Sequence, residues 1–304
     1  MAGEAPFRSG FVALIGRPNV GKSSLCNTLV GEKVAIVSDK PQTTRRRILG
    51  VLHLPGAQVV LVDTPGVHKP NHHLGQRMVA QARDAVTGVE AACLVVDATA
   101  PEPGQNDRRA ALHVRGADCP RLLVLHKADA VPVPERAARE AAYAALAAPE
   151  HPFHACLWVS AHSGEGVDAL LATVLAVLPP GPPYFPDGVR SDQPEQELVA
   201  ELVREQALVQ LRDEVPHGVA VTVDEWQVRE GGLVYIGATL YVEQERHRGI
   251  VIGRGGARLG AIGTAARQEI ERRLACPVYL DIWVKVKEGW RDRPGSIATL
   301  GLGE

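Results

Sequence analysis

The sequence predicts two architectures in tandem: a doubly wound α/β domain with a mostly parallel sheet, then a smaller α+β domain. Three observations carry this expectation. Over residues 7–178 short, continuous apolar runs alternate with longer stretches of helical period. Residues 179–192 open on Pro179-Pro180-Gly181-Pro182-Pro183, a stiff, extended linker composition. Beyond it the apolar residues alternate with polar ones, as in strands that bury a single face. A length of 304 residues suits two domains, and 45% hydrophobic content suffices for a core in each.

Taken in order, residues 11–15 (FVALI) form the first apolar run and residues 23–30 the first helix. Between them stands Gly16-Arg17-Pro18-Asn19-Val20-Gly21-Lys22-Ser23, followed by Ser24, which matches G-x-x-x-x-G-K-[ST]. A loop of this kind turns backbone N–H groups toward phosphates, with a Lys for the outer phosphates and a hydroxyl for Mg2+. The helix behind it adds partial positive charge where the phosphates sit. Further runs at 59–62, 92–96, 122–125 and 156–159 are also continuous, the pattern of strands covered on both faces. Residues 74–86, 107–115, 134–146 and 167–178 read as the intervening helices, and the alanine-rich stretch 140–148 as an exposed amphipathic one. A β-α-β-α order places ligands at the carboxyl ends of the strands.

Those ends carry chemistry. Asp63-Thr64-Pro65-Gly66 follows the run at 59–62, His126-Lys127-Ala128-Asp129 that at 122–125 and Ser160-Ala161-His162 that at 156–159. Each motif alone is a common loop cluster; in this order, each closing an apolar strand, they describe one nucleotide site. His68, Lys69, His72 and His73 lack the Cys or carboxylate partners of a metal site and read as a polar loop. Cys26, Cys93, Cys119, Cys156 and Cys276 form no C-x-x-C pair, as expected of reduced, mostly buried thiols in a cytoplasmic protein. A formal charge of −2 says little when averaged over the chain. There is no basic-then-apolar leader pattern, and no apolar run approaches the roughly 18 residues of a membrane span.

In the second part, residues 193–213 read as a helix capped by Ser191 or Asp192. Alternating strands follow at 219–223 and 233–242, joined by a turn at Glu230-Gly231-Gly232. Then come Ile250-Val251-Ile252, the loop Gly253-Arg254-Gly255-Gly256, a helix over 257–274 and a last strand over 278–284. Arg246, Arg248, Arg254, Arg258, Arg267, Lys285, Lys287, Arg291 and Arg293 outnumber the acids of that stretch, the footprint a phosphate backbone requires. Residues 292–304 are left as a C-terminal tail.

The ordered motifs resemble those of the translation-factor-like GTPases, and Lys40-Pro41-Gln42-Thr43-Thr44-Arg45 resembles the Era family in particular. The element order around Gly253–Gly256 resembles a type II KH domain, whose G-x-x-G loop clamps about four nucleotides of backbone. Together they imply an α/β P-loop GTPase domain over 7–178, a linker over 179–192 and an α+β type II KH domain over 193–291. By this resemblance Gly16 through Ser24, Asp63 through Gly66, His126, Lys127, Asp129, Ser160, Ala161 and His162 bind GTP or GDP. Lys22, Thr44 and Gly66 take part in hydrolysis. Ser23 and Thr44 ligate Mg2+, with Thr43 the alternative to Thr44, and Asp63 stands one layer behind the ion. Asp129 pairs with the N1–H and N2–H2 edge of guanine. Asn19 matches a position that helps hold K+ in related GTPases. Ile252, Gly253, Arg254, Gly255, Gly256 and Arg258 contact RNA. The implied partners are small-subunit ribosomal RNA near its 3′ end and the small ribosomal subunit, with peripheral association at the cytoplasmic membrane face, in a monomer.

Two positions depart from common patterns. His126 stands where the guanine motif has Asn, and Val67 where many switch GTPases carry a water-orienting Gln. Guanine selectivity is then expected to rest on Asp129, and intrinsic turnover to be slow. The alternative is an RNA-binding assembly factor with weak or decayed GTPase activity. A metabolic P-loop kinase or ATPase would need neither Asp129 nor the G-x-x-G domain.

Overall fold

The computed structural model describes residues 6–303, and these divide into two compact units. One holds residues 6–35, Thr44–Asn71 and Gly75–Asp192; the other holds Ile36–Thr43, His72–Leu74 and 193–303.

In the first unit β1 (Arg8–Ile15) runs through the phosphate-type loop into α1 (Lys22–Val30). There follow β2 (Ile48–Leu54), β3 (Ala57–Asp63), α2 (His73–Asp84, of which 75–84 belong here), β4 (Ala91–Asp97) and α3 (Gln105–Arg115). The unit continues with β5 (Arg121–His126), α4 (Val133–Ala144), β6 (Ala155–Val159) and α5 (Val167–Val177). The sheet runs β2-β3-β1-β4-β5-β6, parallel except for β2, which pairs antiparallel with β3. Successive residues of one strand enter opposite cores. Ala13 and Ile15 pack with Val62, Leu94 and Ala110, whereas Val12 and Leu14 pack with Leu61, Cys93, Leu25 and Leu170. Both faces are therefore apolar, and the strands read as unbroken runs.

Several details differ from expectation. β2 is an added strand; the turn Pro55-Gly56, with Gly56 at φ 76°, was its local signal. On α4 Tyr143 is fully buried, and its hydroxyl donates to the Asp97 carbonyl at 3.2 Å. Only Cys26 and Cys93 are buried; Cys119, Cys156 and Cys276 are partly exposed, and all five are free thiols. Residues 179–192 lie along the first unit. Buried Gln58 donates to the Phe185 carbonyl (2.8 Å) and accepts from the Tyr184 and Phe185 N–H groups (2.7 and 3.0 Å). Asp192 accepts the Leu49 N–H at 3.0 Å, so its carboxylate is engaged with β2 and does not cap the next helix.

That helix, α6, begins after Pro194 and spans Glu195–Gln210. The second unit continues with β7 (Ala220–Val228), β8 (Val234–Val242), α7 (Glu245–Ile252), α8 (Ala257–Leu274), β9 (Val278–Val286) and α9 (Pro294–Thr299). β7 is antiparallel and β9 parallel to the central β8. Leu202, Val203, Ile236, Leu240, Ile262, Ala266 and Ile270 form its core, which Ile36 joins. The segment Ile36–Thr43 is held to α6: the Val37 N–H donates to Glu205 at 2.9 Å, and the buried Arg204 guanidinium donates to the Thr43 carbonyl. Past residue 291 the chain remains packed. Ile297 of α9 is fully buried, as is Trp290, whose indole N–H donates to the Gly218 carbonyl at 2.9 Å.

Candidate functional site

At the carboxyl end of the parallel sheet four segments converge. Residues 16–21 link β1 to α1, and Lys22, Ser23 and Ser24 begin that helix. The loop is closed by the Val67 N–H, which donates to the Gly16 carbonyl at 2.9 Å; Val67 itself is buried, so its side chain faces the core. Asn19 takes a left-handed conformation (φ 64°), which an Asn tolerates better than most residues. Lys22 is buried, and its ammonium donates to the Gly16 and Arg17 carbonyls at 3.3 Å each. Burial pushes its pKa down to about 8, against the opposing charge of Asp63. A cation this poorly solvated is poised for an anion.

Ser23 Oγ lies 2.8 Å from Thr44 Oγ1 and donates to Asp63 Oδ2 at 2.6 Å. Thr43 instead donates to the Lys40 carbonyl (2.6 Å) and meets Ser38 (2.7 Å). Burial raises the pKa of Asp63, while Lys22, Ser23 and Thr44 favour its ionised form. Its Oδ1 is buried without a hydrogen-bond partner. Three hard oxygen groups with one unsatisfied carboxylate oxygen fit a small divalent cation of the Mg2+ class. Thr64 donates to the Leu14 carbonyl (2.7 Å) beside Pro65, and the Gly66 carbonyl faces His68 Nδ1 at 2.9 Å. Among the described residues no group of three His, Cys, Asp or Glu side chains forms a metal cluster.

The other end of the site is built by the turns after β5 and β6. Ser160 is fully buried and acts as a pivot: its hydroxyl donates to Asp129 Oδ1 at 2.5 Å and accepts the His162 and Ser163 N–H groups at 3.2 and 3.1 Å. The Ser160 bond holds the pKa of Asp129 below the usual carboxylate range. The Asp129 side chain is exposed. Lys127, at φ 63°, donates to Asp97 at 2.7 Å. Asp97 also pairs with Arg17 at 3.5 Å, and Asp107 pairs with the same guanidinium at 3.2 Å. These two aspartates escaped the sequence reading, although Asp97 ends β4 and so stands at a strand's carboxyl end like the others. His126 is buried, and the Ala161 N–H donates to its Nε2 at 3.2 Å.

In the second unit Ile252 ends α7 and Gly256 precedes α8. Gly253 adopts φ 72°, ψ 176°, open only to glycine, and a Cβ there would lie 2.8 Å from Arg258 Cβ. Arg258 donates to the Ile250 carbonyl at 2.6 Å and so fastens α8 back onto α7. Arg254 and Gly255 are exposed at the tip. The wider basic surface is thinner than the charge count suggests. Arg248 pairs with Glu245 (3.0 Å), Arg267 with Glu271 (2.8 Å), Arg246 with Glu214 (3.5 Å) and Arg291 with Glu243 (2.5 Å).

Both parts of the chain match known proteins. Residues 11–127 match the family model described as a 50S ribosome-binding GTPase, and residues 214–291 match that of the KH domain. The chain is 44% identical over 297 residues to GTPase Era of Heliobacterium modesticaldum, covering 98% of each chain. It is 45% identical over 301 residues to GTPase Era of Mycolicibacterium smegmatis, covering 97% of this chain and 99% of the relative. Among solved structures it resembles Era in complex with MgGDPNP and nucleotides 1506–1542 of 16S ribosomal RNA, with TM-score 0.93 and 36% identity. It resembles a variant of Aquifex aeolicus Era bound to GDP and AlF4− equally well, with TM-score 0.93 and 36% identity. Each of these two structural matches covers 98% of this chain and 100% of the other. The chain therefore belongs to the Era family of GTPases.

Proposed function

We propose that this protein is a GTP-hydrolysing switch that holds RNA from the 3′-end region of the small-subunit ribosomal RNA and assists maturation of the small ribosomal subunit. The observation that carries the reading is the convergence of Lys22, Ser23, Thr44 and Asp63 at the carboxyl end of the sheet, the same end at which the turn after β5 presents Asp129. Lys22 exchanges its two carbonyl partners for the outer phosphates, and the Gly66 N–H stands for the terminal one. Asp129 offers a carboxylate fork to the N1–H and N2–H2 groups of guanine, a pair that adenine lacks. Ser160 and Ala161 close the pocket, with Lys127 along the base. Ser23 and Thr44, with Asp63 beside them, would hold a Mg2+ ion, which would supply charge neutralisation at the phosphates. With Val67 turned into the core, no side chain at that position orients the attacking water, so hydrolysis rests on placing and neutralising the phosphates. K+ near Asn19 would add charge at the same end. Equal single-turnover rates in KCl and NaCl would remove that part.

The RNA role rests on the G-x-x-G loop, with Arg254 at its tip and Ile252, Gly253, Gly255, Gly256 and Arg258 shaping it. Ordering of the chain around Thr44 and Gly66 by GTP, and its release on hydrolysis, would time RNA release. No described helix is long and apolar enough to cross a membrane. Peripheral association with the cytoplasmic membrane face, a cytoplasmic location and a monomeric state have the family resemblance as their support, and vesicle flotation tests the first.

The deciding experiment measures GTP binding against ATP competition, then turnover with and without a pyrimidine-rich 3′-end ribosomal RNA. GTP-selective binding and RNA-dependent turnover are expected. The rival, an RNA-binding assembly factor with a decayed GTPase domain, draws on His126; absent GTP binding at millimolar nucleotide would favour it.

A further inference from the structure

His126 is the one position of the nucleotide site at which this chain departs from the guanine motif, and its surroundings give it a defined chemical job. The ring is only 4% exposed at the end of β5. Its Nε2 faces the Ala161 N–H, which is a donor by construction, so Nε2 must carry a lone pair and the proton of a neutral ring sits on Nδ1. Nδ1 is buried and turned to the phosphate loop. There the Val20 carbonyl stands beside it without closing a well-formed hydrogen bond. A Cβ on Gly21, itself at φ 98°, would lie 2.4 and 2.5 Å from Cε1 and Nδ1, so that edge of the ring packs against the glycine. His126 thus spans the space between the phosphate loop and the Ser160–Ala161 turn that closes the base pocket.

We infer that His126 is a positioning residue that couples guanine-nucleotide retention to pH: neutral, it ties the Ser160–Ala161 turn to the phosphate loop; protonated, it opens that tie and speeds nucleotide release. The inference rests on the nucleotide-site reading given above. A second proton can only go to Nε2, which then meets the Ala161 N–H donor to donor. The charged groups around the ring are Lys127 next along the chain, Asp97 from β4 and Asp129 after β5. From the phosphate loop it meets backbone of Val20 and Gly21; beyond Ala161 the next titratable side chain is His162. Burial outweighs the two aspartates and holds the imidazole pKa below its ordinary 6.5. The neutral bridge therefore prevails at neutral pH and is lost as pH falls through the range below 6.5. Asp129 stays ionised throughout this window, because its own pKa is held low by Ser160.

The test is the release rate of a fluorescent GDP analogue from the full-length protein between pH 7.5 and 5.5, in wild type and in His126→Asn. Asn keeps an acceptor for Ala161 and a donor for Val20 but cannot titrate. The terminal phosphate of GDP titrates near ~6 in both proteins, so the ratio of the two profiles is the readout. Wild type should accelerate more than the variant on acidification, the ratio rising by at most about tenfold per pH unit, the limit for a single titrating group. Parallel profiles overturn the inference while leaving the site intact; absence of GDP binding by wild type at pH 7.5 overturns the site reading itself. Imidazole nitrogen shifts in the wild-type protein provide a check that needs no variant. A neutral ring protonated on Nδ1 is expected, and one protonated on Nε2 overturns the bridge.

Discussion

Around Lys22 the polar groups are buried and already bonded to one another; around Arg254 they are exposed, and the backbone alone carries the shape. Lys22, Ser23, Thr44 and Asp63 stand where a parallel sheet's strand ends converge, and Lys22, Ser23 and Thr44 already hold internal hydrogen bonds that a ligand would replace. The Gly253–Gly256 loop has no such lattice. Its form comes from three positive-φ glycines and from Arg258 reaching back to Ile250. A buried, preorganised cluster discriminates by geometry and is screened little by salt. An exposed loop gains affinity from phosphate charge and loses it as salt rises.

The comparison can be broken at four places. Lys22→Ala should cost most: removing a desolvated cation from the developing phosphate charge is expected to lower GTP turnover about 10²–10³-fold. RNA affinity measured without nucleotide should stay unchanged in that variant. A turnover loss below tenfold would mean that the buried ammonium is not the main electrostatic element. Next comes Asp129→Asn. Loss of a charged two-bond fork should weaken GTP about 10–100-fold. Xanthosine triphosphate, which carries an oxygen where guanine has its amino group, should improve relative to GTP in a direct competition assay.

For the exposed loop the effects are smaller. Gly253→Ala forces a side chain into a glycine-only conformation and against Arg258, a strain of roughly 1–3 kcal/mol. RNA affinity should fall by about an order of magnitude in a filter-binding titration, with GTP turnover of the free protein unaltered. Arg254→Ala should be mildest. The slope of log affinity against log salt should shrink by about one, uniformly across RNA sequences. A sequence-dependent loss instead would show Arg254 reading bases.

The same contrast explains what the sequence revealed. The phosphate loop is contiguous and sits between an apolar strand and a helix, so its identity is written in eight adjacent residues. Asp63, Asp129 and Ser160 were legible because doubly buried strands announce their own ends. Asp97 was missed since its partners, Lys127 and Arg17, lie 30 and 80 residues away along the chain. β2 was missed because its register depends on β3, and the start of α6 because Asp192 had already been taken by Leu49. The basic surface was overcounted for the reverse reason: Glu245, Glu271 and Glu243 neutralise arginines that composition can only tally. His126 was visible as a departure, but only the Ala161 N–H beside its Nε2 gave that departure a chemical meaning.

The strap over residues 179–192 bears on modularity. Composition changes at Pro179, yet Gln58 makes three hydrogen bonds to Phe185 and Tyr184, and Asp192 still completes the β2 backbone. Anyone exchanging the RNA-binding half of this chain for another should therefore graft after Asp192. A graft at residue 179 would strip a buried glutamine of three hydrogen bonds and leave the Leu49 N–H at the sheet edge without its acceptor.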